Sequence, residues 1–333
     1  MNVHQLIEDE RQFLALTSLY PGEFEELLRP FATRWRQFFK HYTLRRQRRS
    51  KPLTAIALEE PTKKLGSLEE KLFFILYFFK NNHLQQSLAA QFDMNQGQVS
   101  RWIKALLPVL EQSIIDLHLQ PARTMDELIR LFRSRQRNEG QAAQSLHIDV
   151  TERSIERNQD TAAQKHDYSG KQAGHRLKNA VMCDESQYVH FTGSTYRGAI
   201  HDKAMADEEF PCLSPLEAFC LWLSKDKGYQ GYQPFGVHLL EPYKAKPKRP
   251  LEPWQKEFNK WVSSIRIVCE HAICGIKRCR VVKETLRYFD AGFRDQVFSV
   301  ACALHNFRVS RRHTYARGAQ RVRARINLNF YPT

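Results

Sequence analysis

The chain has 333 residues, which is enough for two or three domains and a substantial core. Lysine and arginine number 51 against 36 aspartates and glutamates, and the net charge of +15 favours a polyanionic partner. No stretch approaches the ~18 apolar residues of a membrane-spanning helix, and the N-terminal MNVHQLIEDERQF lacks the order of a secretory signal. Seven cysteines without a CxxC pair indicate reduced thiols in a cytosolic protein.

The first 66 residues combine helical periodicity with a basic, proline-containing stretch. Residues 4–16 and 22–42 are predicted to form two packed helices. The basic segment LRRQRRSK at 44–51 is interpreted either as a solvated linker or as an arm that contacts phosphates. Residues 52–66, with two prolines and a glycine, are predicted to be a linker.

A helix-turn-helix is predicted in the next segment. Ser67 and Glu70 match a capping box, and helices are expected at about 68–80, 83–92 and 96–117, with a tight turn at Asp93–Asn95. Many such turns carry glycine where this chain has Asp93, and aspartate tolerates the left-handed conformation better than most residues. The recognition helix would then present residues suited to reading bases in the major groove, namely Gln96, Gln98, Ser100, Arg101 and Lys104. An ordinary three-helix bundle is the alternative.

Strand patterns begin after a further helix at 123–139. LHIDVTE alternates apolar residues with a second face that carries Asp149. HRLKNAVMCDE and YVHFTGSTYRG are predicted to pair as a hairpin around Asp184–Gln187. His201-Asp202 opens a short helix, and 217–223 is read as an apolar strand that stops before the turn holding Asp226.

The segment SSIRIVCEHAICGIKRCR has strong helical periodicity and an unusual polar face. At about 100° per residue, Arg266 lies about 40° from Glu270, and Lys277 lies about 20° from it. One face of the helix would therefore hold a carboxylate flanked by two cations. The basic C-terminal RVSRRHTYARGAQRVRAR is expected to be mobile until DNA is bound.

These motifs together resemble the DDE transposases of bacterial insertion sequences, in the insertion sequence family five group, which is related to PIF/Harbinger transposases. The resemblance runs from about 65 to 310 and includes, besides the helix-turn-helix, IDVTERSI, YSGKQAGHRLKN, GAIHDKAM, DKGYQG and the Arg266–Glu270–Lys277 signature. The family often has tyrosine where this chain has Ser263.

The resemblance implies an α+β fold in which an N-terminal helical region with a helix-turn-helix precedes an RNase H-like catalytic domain with a mixed sheet. The predicted domains are a helical region and basic linker at 1–62, the helix-turn-helix domain at 63–120, a connecting helix at 121–142, the catalytic domain at 143–312 and a basic tail at 313–333.

By resemblance, Asp149, Asp226 and Glu270 are the catalytic acids. They would hold two Mg²⁺ ions, with Mn²⁺ as a substitute, because Mg²⁺ prefers oxygen ligands and two such ions serve in-line displacement at phosphodiesters. Asp202, in the family motif GAIHD, is the competing second acid. Against it, Asp202 opens a helix, where aspartate is a natural cap. Phosphate contacts are expected from basic side chains near these acids, namely Arg266, Lys277, Lys171, His175 and Lys178.

The function implied is a DNA transposase that binds terminal inverted repeats, cleaves the element ends and joins their 3′ hydroxyls to target DNA. Its partners would be repeat and target DNA, a second copy in a homodimer or higher oligomer, and no membrane. Its location would be cytoplasmic and nucleoid-associated. Two alternatives are a transposase-derived DNA-binding protein without cleavage activity, and another RNase H-like nuclease such as a junction resolvase.

Overall fold

The computed structural model describes residues 3–139, 145–219, 221–245 and 249–327. The chain divides into two compact units. The first comprises Met1–Gln120 and Lys277–Arg308, and the second comprises Pro121–Ile276 and Val309–Thr333. This division differs from the predicted domains, which separated 1–62 from 63–120 and kept 277–308 with the sheet.

The first unit is helical. Its helices are α1 Val3–Glu8, α2 Glu10–Thr17, α3 Pro21–His41, α4 Ala55–Glu59, α5 Leu68–Asn81, α6 Gln85–Gln91 and α7 Gln96–Asp116. Two further helices come from later in the chain, α12 Arg280–Lys283 and most of α13 Ala291–Arg311. The helix predicted at 4–16 is broken at Asp9, whose carboxylate caps α2 by accepting from Gln12 N at 2.9 Å.

Local sequence signals set the ends of the helix-turn-helix. The predicted capping box of Ser67 and Glu70 is present at the start of α5. Asp93 has a φ of 50°, the left-handed conformation expected of it, and Asn95 forms a second capping box with Gln98 at the start of α7. Ala89 and Val99 are buried between α6 and α7.

A buried lysine joins the aromatic core of this unit to the start of α5. The rings of Trp35 on α3 and Trp102 on α7 stack at 5.7 Å, and the ammonium of Lys71 lies 5.4 and 6.0 Å from their centres. Lys71 donates to the backbone oxygens of Leu65, Gly66 and Ser67. Burial lowers the pKa of Lys71 to about 8.

The second unit is built on a mixed seven-stranded sheet. Its strands are β1 Ser145–Ser154, β2 Tyr168–Ser169, β3 Gly174–Asp184, β4 Val189–Thr192, β5 Tyr196–Arg197, β6 Trp222–Ser224 and β7 His238–Leu240. The order along the sheet is β2-β3-β1-β6-β7, and β4 and β5 also pair with β3. Pairing is antiparallel between β1 and β3 and parallel from β1 to β6 to β7. This confirms the predicted α+β class with a mixed sheet.

Helices cover the sheet of the second unit. They are α8 Met125–Glu139, α9 Thr161–Asp167, α10 Asp202–Glu209, α11 Pro253–Ile276 and α14 His313–Asn327. The predicted hairpin forms between β3 and β4, where Asp184 Oδ1 accepts from Ser186 N at 2.8 Å and from Tyr188 N at 3.1 Å. Gln187 takes the left-handed conformation that closes the turn.

Two predicted elements are wrong. The strand expected at 217–223 is a 3₁₀ helix at Ser214–Phe219 followed by the short β6. Leu213, Leu216 and Phe219 recur every three residues, and all three lie at or against the core, which is the period of a 3₁₀ turn.

The second wrong element is the tail expected to be mobile. It is helical as far as Asn327, because α13 continues to Arg311 and α14 follows. Ala319 and Val322 lie one turn apart on α14 and are both buried, and Arg323 pairs with Glu185 at 2.6 Å. The segment therefore packs on its own unit.

Candidate active site

Asp149 lies in the central strand of the sheet. Its strand β1 is flanked by β3, where Asp149 is opposite Val181, and by β6. The carboxylate is largely shielded from solvent and accepts from Val150 N at 2.8 Å. Burial raises the pKa of Asp149 to about 6, with a further increase from the charge of Asp226 and opposing effects of Val150 N, Arg266 and Lys171.

Asp226 reaches the same edge of the sheet from the neighbouring strand. It follows β6 by two residues and precedes a 3₁₀ turn at Lys227–Tyr229. Since β6 runs parallel to β1, with His147 opposite Ser224, the chain after β6 leaves the sheet beside Asp149. Arg266 Nη1 lies 3.4 Å from Asp226 Oδ1, and the charge of the same guanidinium acts on Asp149.

Glu270 is on α11, one turn beyond Arg266. The helix packs against β1 and β3, and Cys269 Sγ donates to the backbone oxygen of His147 at 3.5 Å. Residues four apart on a helix share a face about 5–6 Å apart, so Glu270 is directed to the side where Arg266 pairs with Asp226. Its side chain is exposed. Within the described ranges, no group of three or more His, Cys, Asp or Glu side chains is close enough together to hold a metal ion.

Lys277 lies directly after α11. The last residue of the helix is Ile276, and Lys277 begins a turn. Arg266 and Glu270 are both within the helix, as predicted, and the phosphate contact expected of Lys277 stays a prediction.

Asp202 is held by a buried cation. Lys178 Nζ lies 3.1 Å from Asp202 Oδ1 and 3.8 Å from Glu152 Oε1, and it donates to the backbone oxygen of Ile200 at 2.8 Å. A β-carbon added to Gly228 would lie 3.0 Å from Asp202 Oδ2, so this carboxylate supports the turn that follows Asp226.

This arrangement bears on two expectations. Asp202 is the first residue of α10 and does not cap it, since His201 occupies the capping position. Lys178, for which a phosphate contact was predicted, is buried and is bound by a carboxylate and a carbonyl, and its contact with DNA stays a prediction.

The remaining basic candidates lie in and beside the turn between β2 and β3. Lys171 is exposed, and its charge acts on Asp149. His175 is the second residue of β3 and lies opposite Tyr168, and their ring centres are 6.0 Å apart. Both therefore stay in reach of a ligand that approaches the site from the β2 side.

The predicted base-reading residues all lie in the first three turns of α7, in the first unit. Gln96 and Lys104 are exposed, and Gln98, Ser100 and Arg101 are half-buried. The side-chain oxygen of Gln98 is already used, since it accepts from Asn95 N at 2.9 Å. The other four keep their polar groups on or near the surface.

Sequence reasoning missed two buried residues, one in the DKGYQG turn and one directly before it. Tyr229 is fully buried, and its hydroxyl has no hydrogen-bond partner among the described residues. Burial and the charges of Asp149 and Asp202 raise the pKa of Tyr229 far above its usual range. Lys225, also fully buried, pairs with Glu241 at 3.1 Å and donates to Tyr232 O. The DKGYQG motif itself pointed to this turn, but the sequence did not predict that Tyr229 and Lys225 are buried.

Two family models match the chain. One is described as DDE superfamily endonuclease and matches residues 148–306. The other is described as helix-turn-helix of DDE superfamily endonuclease and matches residues 63–114. The chain thus has one region similar to a DDE superfamily endonuclease and another similar to the helix-turn-helix of that superfamily.

A curated relative is similar over part of the chain. The probable transposase for insertion sequence element IS702 of Microchaete diplosiphon is 31% identical over 142 residues, which are 42% of this chain. The chain spans about half the length of that relative (49%). No solved structure matches. Together, the two family models and this relative support a resemblance of the chain to the DDE transposases of insertion sequences.

Among the described residues, no helix is long and apolar enough to cross a membrane.

Proposed function

We propose that the chain is a transposase that binds the terminal inverted repeats of its element, cleaves the ends and joins the 3′ hydroxyls to target DNA. The observation that carries this proposal is the largely shielded Asp149, on which the charges of Asp226 and Arg266 act, together with the ion pair between Arg266 and Asp226. Two carboxylates and one cation suit a site that receives a divalent ion and a phosphate together.

The donor chemistry fits Mg²⁺. Asp149 and Asp226 repel each other, and burial further disfavours the charge on Asp149; a divalent cation would relieve both effects. Asp149, Asp226 and Glu270 would hold the metal, with Asp202 as the alternative second acid. When bound there, Mg²⁺ would activate the attacking oxygen and would stabilise the negative charge on the leaving oxygen.

The chain's own groups would position the substrate. Arg266 would bind a phosphate next to the scissile bond, a contact in which its planar fork matches two phosphate oxygens. Lys171 adds positive charge on the β2 side. The same site would serve cleavage by water and attack by the 3′ hydroxyl, because both are in-line displacements at a phosphodiester.

The helix-turn-helix would supply the sequence preference. The exposed start of α7 suits the major groove, and Gln96, Ser100, Arg101 and Lys104 are the residues we propose for base and phosphate contacts. Two copies of the chain would be needed to bring two element ends together, and a cytoplasmic, nucleoid-associated location would follow from this role.

Cleavage and strand transfer on labelled duplex with the element's own ends and Mg²⁺ test the proposal. The wild type should cut and join. Asp149→Asn and Asp226→Asn should lose at least 100-fold in rate, and Asp202→Asn should keep partial activity, because Asp202 is paired with Lys178. Asp207→Asn is the matched control, since Asp207 is exposed on the same helix as Asp202 and pairs with Lys203.

Other outcomes would change the assignment. If Asp202→Asn is inactive and Asp226→Asn is active, the second metal ligand is Asp202 and Asp226 is a turn residue. Tight binding of the ends without any cleavage would favour the second candidate, a transposase-derived DNA-binding protein. Cleavage without joining would favour a nuclease of another kind.

A further inference from the structure

A cleft of about 460 Å³ opens beside the DKGYQG turn in the second unit. Its walls combine aromatic rings with amides, one cation and one carboxylate, and they include Gln230, Gln233, Glu241, Tyr243, Lys244 and Phe258. This volume is within the range of small-ligand sites. None of the roles proposed above uses these residues.

The aromatic wall is assembled between a loop and the first turns of α11. The ring of Tyr243 meets Trp254 edge-on at 5.1 Å and Phe258 at 5.3 Å. Tyr243 and Trp254 are nevertheless 39% and 47% exposed. Large aromatic side chains that are both packed together and open to solvent suit a stacking surface for a flat ligand.

The wall is held in place by a pair of hydrogen bonds. Asn259 Oδ1 accepts from Tyr243 N at 2.7 Å, and Asn259 Nδ2 donates to Tyr243 O at 2.9 Å. One side chain on α11 thus satisfies both backbone groups of Tyr243. The aromatic ring therefore has a defined position relative to α11.

The cleft and the carboxylates share one edge of the sheet. Asp226 follows β6, and Glu241 follows the parallel strand β7. Lys225 Nζ lies 3.1 Å from Glu241 Oε2, which ties the two strand ends together. Phe258 and Arg266 are eight residues apart on α11, or about 12 Å along its axis, and Arg266 pairs with Asp226.

The charge around the cleft suits a nucleic-acid strand. Lys244 lines the cleft and donates to Gln230 at 3.0 Å. The carboxylate of Glu241 is neutralised by Lys225. The amides of Gln230 and Gln233 offer the donors and acceptors that base edges use.

We propose that this cleft holds one unstacked base of the DNA strand whose scissile phosphate lies at Asp149 and Asp226. The base stacks on the rings of Tyr243, Trp254 or Phe258, and Lys244 contacts a flanking phosphate. Removing a base from its stack holds the strand locally open, which gives the site access to the phosphodiester. The inference rests on the proposed function, because it takes DNA as the ligand.

Photocross-linking tests the occupant directly. Duplexes with the element's ends would carry 5-iodouracil at successive positions on each side of the cleavage point, and full-length protein would be irradiated and mapped by mass spectrometry. The expected result is a cross-link from one position to Tyr243, Trp254 or Phe258. Cross-links confined to other parts of the chain at every position would overturn the inference.

Affinity for intact and abasic DNA provides the second test. Tyr243→Leu and Phe258→Leu keep apolar bulk but remove the ring, and each should weaken binding about 5- to 100-fold. An abasic site at the cross-linked position should abolish the difference from wild type. Phe235→Leu is the control, since Phe235 is 77% exposed on the same unit and lies outside the cleft. An equal loss on intact and abasic DNA would contradict stacking.

These readouts separate the inference from the proposed function. A cross-link in the cleft of a wild type that never cleaves would support the base site and refute the transposase activity. Cleavage and joining by the wild type, without a cross-link in the cleft, would refute the base site alone.

Discussion

Replacing Asp149 with asparagine should stabilise the metal-free protein at pH 8, although the same change should remove cleavage. The carboxylate is buried in the central strand, and burial raises its pKa to about 6. An unfolded aspartate titrates near 4. At pH 8, Asp149 is therefore ionised in the folded protein, although its surroundings favour the neutral acid.

The magnitude follows from the displacement of the pKa. A rise from about 4 to about 6 corresponds to about 3 kcal/mol at 1.36 kcal/mol per tenfold change in proton affinity. Asparagine keeps the acceptor that Asp149 offers to Val150 N but leaves its own amide hydrogens to be satisfied. We therefore expect Asp149→Asn to raise the free energy of unfolding by about 1–3 kcal/mol at pH 8.

The sign of the pH dependence is specific. The cost of the charged Asp149 is fully present above pH 6 and is relieved as the pH falls from about 6 to about 4. His147 acts in the opposite sense. Burial lowers its pKa to about 4, so as the pH falls from about 6.5 to 4 the unfolded chain is protonated first, and the folded protein loses stability. His147 is present in both proteins, and its effect cancels in the difference between them.

Urea unfolding of wild type and Asp149→Asn in EDTA, at pH 8 and pH 4.5, measures this difference in the second unit. Asp149→Asn should be more stable at pH 8 and close to wild type at pH 4.5. Added Mg²⁺ should stabilise the wild type but not the variant. Asp207→Asn, an exposed control, should stay within about 0.5 kcal/mol of wild type. A variant that is no more stable than wild type at pH 8 would refute the reasoning.

Three further predictions concern packing and DNA recognition. Arg323→Ala should destabilise the second unit by about 2–4 kcal/mol in thermal or urea unfolding, because it removes a cation that pairs with the fully buried Glu185. The double variant with Glu185→Gln should recover part of the loss, and equal stability of Arg323→Ala and wild type would show that α14 is not held by this pair. Tyr229→Phe should leave stability unchanged or raise it by about 1 kcal/mol, since its buried hydroxyl has no hydrogen-bond partner in the described part of the chain. A clear loss of stability would reveal a hydrogen bond to a neighbouring carboxylate. Arg101→Ala should weaken binding to repeat ends more than binding to random DNA, whereas Lys104→Ala should weaken binding to both and reduce its salt dependence. Both variants would be measured by salt titration on the two DNAs. Equal losses of affinity for Arg101→Ala on both would argue against its place on the recognition helix.

Features that depend on neighbouring residues in the chain were predictable. The capping box of Ser67 and Glu70 and the left-handed Asp93 follow from local backbone and side-chain chemistry. The hairpin at Asp184–Gln187 is of the same kind. Each of these is decided within a few residues, so no knowledge of distant contacts is needed.

Features that depend on packing were predicted less well. The C-terminal segment is basic and low in apolar content, yet it forms a helix in which Ala319 and Val322 are buried and Arg323 pairs with Glu185. The spacing of Lys277 assumed a continuous helix, whereas α11 ends at Ile276. Lys178 looked like a free cation in sequence, yet Asp202 and Glu152 hold it.

By itself, the sequence determined the family, the order of helix-turn-helix and mixed sheet, and the acids worth testing, because motifs and periodicity are local properties of the chain. Only the tertiary structure decided that Arg266 pairs with Asp226 while Lys178 pairs with Asp202, and that Tyr243, Trp254 and Phe258 form one wall. The physical reason is that ion pairs and buried pKa values depend on distance and desolvation in three dimensions, which residues far apart in the chain acquire only on folding.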